Sequence, residues 1–228
     1  MVMDPGIGVA IWLTVKLATV TTVLAMAIGA PIAWRLARGR GFWRDVMASV
    51  LSLPMVLPPT VLGFYMLLLL GPRGPGGAVA GLWGARTLAF SFGGLVFASV
   101  VASLPFVIQS ARAGFESVDP RLIEAAWTLR ATPLRAFVTV GVPLAAPGLA
   151  AAAVLAFAHT VGEFGLILMI GGDLPGRTRV LSIALYDAVE SDRWGEAHWI
   201  AGGLVAFSFL AVLGLTVTQR LMSRSRAP

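Results

Sequence analysis

The sequence predicts an all-α membrane protein: about five transmembrane helices, with a cytoplasmic helix pair between the third and the fourth. Three observations predict it. Of 228 residues, 57% are hydrophobic and only 12% charged, against roughly 25% charged in a soluble domain. Mean hydropathy is +0.86, and apolar runs long enough for the roughly 20 residues that cross a bilayer recur along the chain. A single long polar stretch, Asp119 to Pro143, interrupts them.

Composition also excludes functions. The chain has no cysteine, which removes disulfides, Cys-ligated zinc and thiol catalysis together. His159 and His198 are its two histidines and leave little material for a metal site. The formal charge of +6 comes from basic residues beside apolar runs, where they set topology; nucleic acid is not an expected partner, and lipid is. The N-terminus lacks a basic n-region and the first apolar run is too long for an h-region, so no cleavable signal peptide is expected. Residues 1–228 read as a single transmembrane domain.

The first span runs from about Gly8 to Ala33 and carries Lys16 among four threonines. Lys16 near its outer end either snorkels to the interface or meets a substrate. The span closes on an aromatic and arginine cluster, Trp34 to Arg44, of the kind found at a cytoplasmic boundary. The second span, about Val46 to Leu70, contains Pro54, Pro58 and Pro59. Such prolines break a helix, and broken backbone at membrane depth is tolerated only where protein or a water-filled cavity covers it. Either a transport path or a packing kink results. Gly71 to Gly77 is a loop by composition.

The third span is about Leu88 to Ala111, and the polar stretch of about 112–142 follows. Asp119 then Pro120 reads as an N-cap with proline at the first helical position, where a missing N–H costs nothing. Glu124 lies in the first turns, where negative charge suits the helix dipole, and Arg130 and Arg135 come later. Pro133 after Thr132 ends the first helix and lets a second short one begin. A fourth span, about Leu144 to Ile170, opens with small residues that permit close helix–helix approach in lipid. The apolar positions 180, 181, 184, 185, 188 and 189 share one helical face, predicting a short amphipathic helix at the outer surface. The fifth span, about His198 to Thr218, ends in a basic tail.

Eleven of the seventeen basic residues fall in 34–45, 112–142 and 219–226, with four acidic residues, Asp45, Glu116, Asp119 and Glu124. The remainder is close to neutral. The basic side is expected to be cytoplasmic, which puts the N-terminus outside and the C-terminus inside.

Catalytic motifs are missing. The chain has no Walker A loop, no Gly-x-Ser-x-Gly elbow and no His-Glu-x-x-His. His159 and Glu163, four apart, share a helix face. An ionisable pair inside a span is a functional hypothesis by default. A gate or pathway role, a structural pair, a metal site with too few ligands and an intramembrane enzyme all remain open for it.

Two resemblances narrow these readings. Glu124-Ala125-Ala126, followed at the right spacing by Val140-x-Val142-Pro143, resembles the cytoplasmic coupling loop of bacterial ABC importer permeases. The family pattern is Glu-Ala-Ala, three residues, Gly, nine residues, then Ile-x-Leu-Pro. Arg130 stands where the family has glycine, so the backbone turn there is expected to differ in detail. Ser52 to Gly63, Gly71 to Gly74, Phe157 to Gly165 and Leu174 to Asp187 together resemble molybdate ABC transporter permeases over nearly the whole chain. Gly162-Glu163-Phe164-Gly165 is shared with sulfate and thiosulfate permeases, and tungstate is not separable from molybdate.

The resemblance implies an ABC importer permease fold and a homodimer with one pathway between subunits, in the bacterial cytoplasmic (inner) membrane. Two copies of an ABC ATPase would dock on the coupling loops (Asp119, Glu124, Ala125, Ala126, Arg130, Pro143), and an extracytoplasmic oxyanion-binding protein would deliver the anion. Pro58, Pro59, His159, Glu163 and Phe164 are the candidate pathway or gate residues. No cofactor or metal is expected on this chain, since ATP would be used by the partner subunit.

Overall fold

The computed structural model describes residues 5–39 and 41–224; of the basic residues used for orientation, Arg40 and Arg226 lie outside them. Among the described residues the regular structure is helical throughout. Helix α1 (Pro5–Arg38) is followed by α2 (Phe42–Val56), α3 (Pro59–Leu70) and the short α4 (Pro75–Gly81). Then come α5 (Phe92–Glu116), α6 (Pro120–Thr128) and α7 (Pro133–Ala136), a π-helical turn (Phe137–Gly141) and α8 (Val142–Leu144). The chain ends with α9 (Ala146–Gly162), α10 (Gly165–Gly171), α11 (Leu181–Glu190) and α12 (Trp194–Arg224).

Three stretches are long and apolar enough to cross a membrane unbroken: Gly6–Arg38, Phe92–Glu116 and Trp194–Val217. Two bent pairs raise the number to five, Phe42–Val56 with Pro59–Leu70 at 105°, and Pro133–Leu144 with Ala146–Gly162 at 80°. The second span is thus a sharp elbow. Leu57 and Pro58 are extended between its halves, because proline supplies no N–H and excludes the helical conformation from the residue before it.

The fourth span differs from the continuous helix expected over Leu144 to Ile170. It breaks again at Glu163 and Phe164, where the backbone leaves the helical region before α10 restarts. The glycines on either side, Gly162 and Gly165, make such a break inexpensive. The segment Gly71 to Gly77, expected as loop, holds the start of α4, which Pro75 opens at its first position. The amphipathic helix lies almost where the apolar spacing put it, as α11.

Two apolar clusters lie along the bundle. One joins α1, α3, α5, α10 and α11 through Leu17, Leu70, Leu95, Ile167, Ile170 and Ile183. The other joins α1, α5, α6, α7 and α9 through Ala33, Val107, Phe115, Ile123, Ala136 and Ala156. Small residues set the spacing in the second. A Cβ on Gly148 of α9 would stand 2.5 Å from the Gly114 Cα of α5, so the two backbones nearly touch, as small residues in lipid allow. Helix α12 lies on the outside, its apolar window only 6% buried.

Candidate functional site

The predicted site residues form two groups in different parts of the bundle. The first is the helix pair. Asp119 Oδ1 accepts the Arg121 N–H at 2.9 Å, and Pro120 occupies the first turn. Ile123 points inward and is fully buried, while Leu122, Trp127, Leu129 and Leu134 are exposed. That apolar surface, on a helix pair already closed on its inner side, suits a protein partner.

The turn between the helices is closed by its own backbone. The Arg130 N–H donates to the Trp127 carbonyl at 2.9 Å and the Ala131 N–H to the Ala126 carbonyl at 3.0 Å. This is the Schellman arrangement, which requires a left-handed residue after the cap. Arg130 is that residue, with φ 59°. The expected difference in the turn is therefore not seen: the backbone has the hand that glycine favours, and only the side chain differs. Thr132 Oγ1 then accepts the Arg135 N–H at 3.3 Å and starts α7.

Trp34, Phe115 and Phe137 root the pair in the bundle with centroids 5.2, 5.4 and 5.8 Å apart. A Cβ on Gly141 would collide with the Trp34 ring at 2.3 Å. Pro143 shapes this root too. Its ring conflicts with a regular helical turn, and just before it the Val142 N–H bonds the Phe137 carbonyl in the wider π-helical register. Glu124 is exposed and lines a cleft of about 470 Å³ with Arg38, Arg44, Glu116 and Trp127. Arg44 is paired with Asp45, and Arg112 with Glu116; Glu124 has no ion-pair partner among the described residues. Ala125 is exposed and Ala126 half-buried, leaving room for a close partner only while both stay small.

The second group lies where the two broken spans meet. A Cβ on Gly165 would be 3.2 Å from the Pro59 Cβ, so the start of α3 abuts the start of α10. Beside this contact is a cavity of about 110 Å³ lined by Pro54, Met55, Leu57, Pro59, Leu62, Ala102, Phe106, His159, Glu163 and Leu166. His159 Nε2 is 3.5 Å from Glu163 Oε2. The other carboxylate oxygen accepts the Leu166 N–H at 3.2 Å, and the Ser182 hydroxyl donates to the Glu163 carbonyl at 2.8 Å. On the far side of the imidazole, Nδ1 is 3.3 Å from Ser103 Oγ, which is 3.2 Å from Thr160 Oγ1. Phe106 packs on the ring at 4.4 Å.

Pro59, His159 and Glu163 are therefore brought together. Pro58 caps α3 nearby without lining the cavity. Phe164 does not line this cavity and packs against the Tyr186 ring of α11 at 5.1 Å. The break at Glu163 reverses the chain and sends consecutive side chains to different surroundings. Sequence reasoning missed Ser103 and Phe106. Their signal was faint: one serine and one aromatic flanking Pro105 in an apolar span. Lys16, in the N-terminal half of α1, holds its ammonium over the Phe92 ring at 4.7 Å. Among the described residues no group of three or more His, Cys, Asp or Glu is placed to hold a metal.

The family model for the binding-protein-dependent transport system inner membrane component matches residues 25–225. The chain belongs to that family. It is a transport component of the inner membrane and not an enzyme. The molybdenum transport system permease protein ModB of Azotobacter vinelandii is 52% identical over 92% of this chain and 93% of its own. The protein of the same name from Escherichia coli K12 is 35% identical over 96% and 95%. The fold is that of ABC importer membrane subunits. A bacterial alginate ABC transporter, solved in complex with its alginate-bound periplasmic protein, superposes at a TM-score of 0.75 with 16% identity, over 96% of this chain and 80% of the other.

Proposed function

We propose that this chain is the membrane-spanning permease subunit of an ATP-driven importer of molybdate. The 52% identity to a molybdenum transport permease over nearly both full lengths carries the reading. The coupling pair supports it, since a short, capped and rooted helix pair transmits force as a rigid body. In this reading two copies form one pathway, and each presents Asp119 to Arg130, with Pro143 at the root, to one of two ATPase subunits. Closing the ATPases on ATP moves the pairs and opens the pathway outward; hydrolysis resets it. An extracytoplasmic oxyanion-binding protein delivers the anion. The N-terminus is outside and the C-terminus cytoplasmic, in keeping with the basic residues near the coupling pair. The chain acts as one domain and holds no cofactor of its own, ATP being bound by the partner.

The pathway lies against the two broken spans, with Pro58, Pro59, His159 and Glu163 at its wall and Phe164 tying that wall to α11. Irregular backbone at membrane depth belongs where it lines a cavity, and here two breaks adjoin. The experiment is uptake of labelled molybdate into liposomes holding this chain, its ATPase and its binding protein. ATP-dependent uptake that excess tungstate blocks and excess sulfate does not is the expected result. Equal competition by sulfate would move the substrate to sulfate. No uptake by an assembled complex would overturn the reading.

A further inference from the structure

The cavity between the broken spans is a poor site for an anion. Its walls are apolar except for His159 and Glu163, and no lysine or arginine lines it. A carboxylate in such surroundings is the wrong sign for binding a dianion and the right sign for stopping one. We propose that Glu163 is the electrostatic barrier of the closed pathway, and that His159 and the Leu166 amide are the groups that hold its carboxylate in place. The proposal rests on the permease reading and adds to it the residue that keeps the resting pathway tight to its own substrate.

The geometry carries this in three steps. First, the carboxylate is fixed. One oxygen accepts the Leu166 N–H and the other faces His159 Nε2. The imidazole is held by Ser103 and Phe106 on the neighbouring helix α5. Second, the residue is anchored at its backbone as well as at its tip, because Ser182 of α11 donates to its carbonyl. Glu163 therefore moves only when the α9–α10 break itself moves. Third, the side chain is only 11% exposed, so water screens its charge weakly, and like-charge repulsion is far stronger there than at a surface. Apolar walls give an approaching oxyanion nothing in return for its lost hydration. A neutral solute of similar size meets no such penalty. Opening must therefore carry the break and its carboxylate aside, a movement that α9 can deliver because it continues from the root of the coupling pair.

The test is passive flux, with no nucleotide, in liposomes containing the complete importer complex. Labelled molybdate is the anionic probe and labelled thiourea the neutral one. Glu163→Gln keeps the shape and an acceptor oxygen for the Leu166 amide but removes the charge. The expected result is a rise of about tenfold or more in molybdate flux with thiourea flux unchanged, since the obstacle removed is Coulombic. His159→Arg leaves the carboxylate and sets a fixed positive charge beside it; the same selective leak is expected, and this variant decides the matter if E163Q does not assemble with the ATPase. Tight liposomes with an assembled variant would overturn the proposal. So would a parallel rise for thiourea, which would make the pair a mechanical plug and not a charge barrier. A wild-type complex with no ATP-driven uptake would instead remove the permease reading, and is told apart because it fails before any variant is compared.

Discussion

The coupling pair and the paired breaks are both interruptions of apolar helix, yet they are held in opposite ways. The coupling pair closes on itself. Asp119 caps within two residues, the Arg130 turn bonds back to Trp127 and Ala126, and Thr132 restarts the chain within three. The α9–α10 break draws on other helices as well as on its neighbours: the Ser182 hydroxyl of α11 donates to the Glu163 carbonyl across 19 positions, and Ser103 of α5 reaches Thr160 across 57. A unit held by its own neighbours in sequence keeps its shape when it is pushed. A unit held by other helices changes when those helices move. On that physical ground the helix pair is expected to act as a rigid handle and the α9–α10 break as a yielding joint, with α9 running between them.

That contrast can be broken at the handle first. Glu124→Lys places a cation where the exposed carboxylate would meet the ATPase. ATP-driven uptake is expected to fall by about 100-fold, the scale of one charge reversed in a desolvated interface, while the chain still inserts in the membrane. Bulky residues at Ala125 or Ala126 should act alike. Normal uptake by these variants would show that the pair is not the docking surface.

Next in size is the linkage between handle and joint. Gly148→Val drives a branched side chain into the Gly114 backbone, where even a single carbon would stand at 2.5 Å. Overpacking of that kind costs about 1–3 kcal/mol, and a thermal melt of the detergent-solubilised protein should register it. A smaller effect is expected from Ser182→Ala, which removes one hydrogen bond to the Glu163 carbonyl at about 1 kcal/mol. Hydrogen exchange should then quicken at the amides of 164–168 and of α11, with α6 unchanged. Equal quickening in α6 would mean that handle and joint are not separately held.

The same division decided what could be read from the sequence. Caps, proline positions and the apolar spacing of α11 are local rules, so the starts of α6 and α7 and nearly all of α11 were legible. Helix α6 ends at Thr128, ahead of the expected stop at Pro133, because the Arg130 turn closes it. The elbow at Pro58 was legible as a break, because proline acts on its immediate neighbours. The second break was not. Gly162 and Gly165 make a break there inexpensive without dictating one, and Ser182, which holds the Glu163 carbonyl, comes from α11, 19 positions away. The cavity was visible only in part for the same reason. His159 and Glu163 announce themselves as ionisable residues in a span, whereas Ser103 and Phe106 matter only once α5 lies beside α9. Phe164 is adjacent in sequence to Glu163 yet packs against Tyr186 of α11 and not in the cavity, a separation that only the break creates.

The smallest expected effect concerns the turn of the handle itself. Arg130 holds φ 59°, a conformation that costs an L residue roughly 1 kcal/mol and glycine almost nothing. Its side chain is exposed and has no ion-pair partner among the described residues. Arg130→Gly should therefore leave the turn unchanged in shape and relieve strain of that size, offset in part by the greater freedom of glycine in the unfolded chain. A net change of about 0.5 kcal/mol or less in either direction is expected, read as a small shift in the melt of the solubilised protein. Uptake separates the two roles the arginine can have. If uptake by the assembled importer is unchanged, Arg130 is a tolerated occupant of a turn defined by backbone alone. If uptake falls while the melt does not, the guanidinium contacts the ATPase, and the docking surface extends from α6 across the turn.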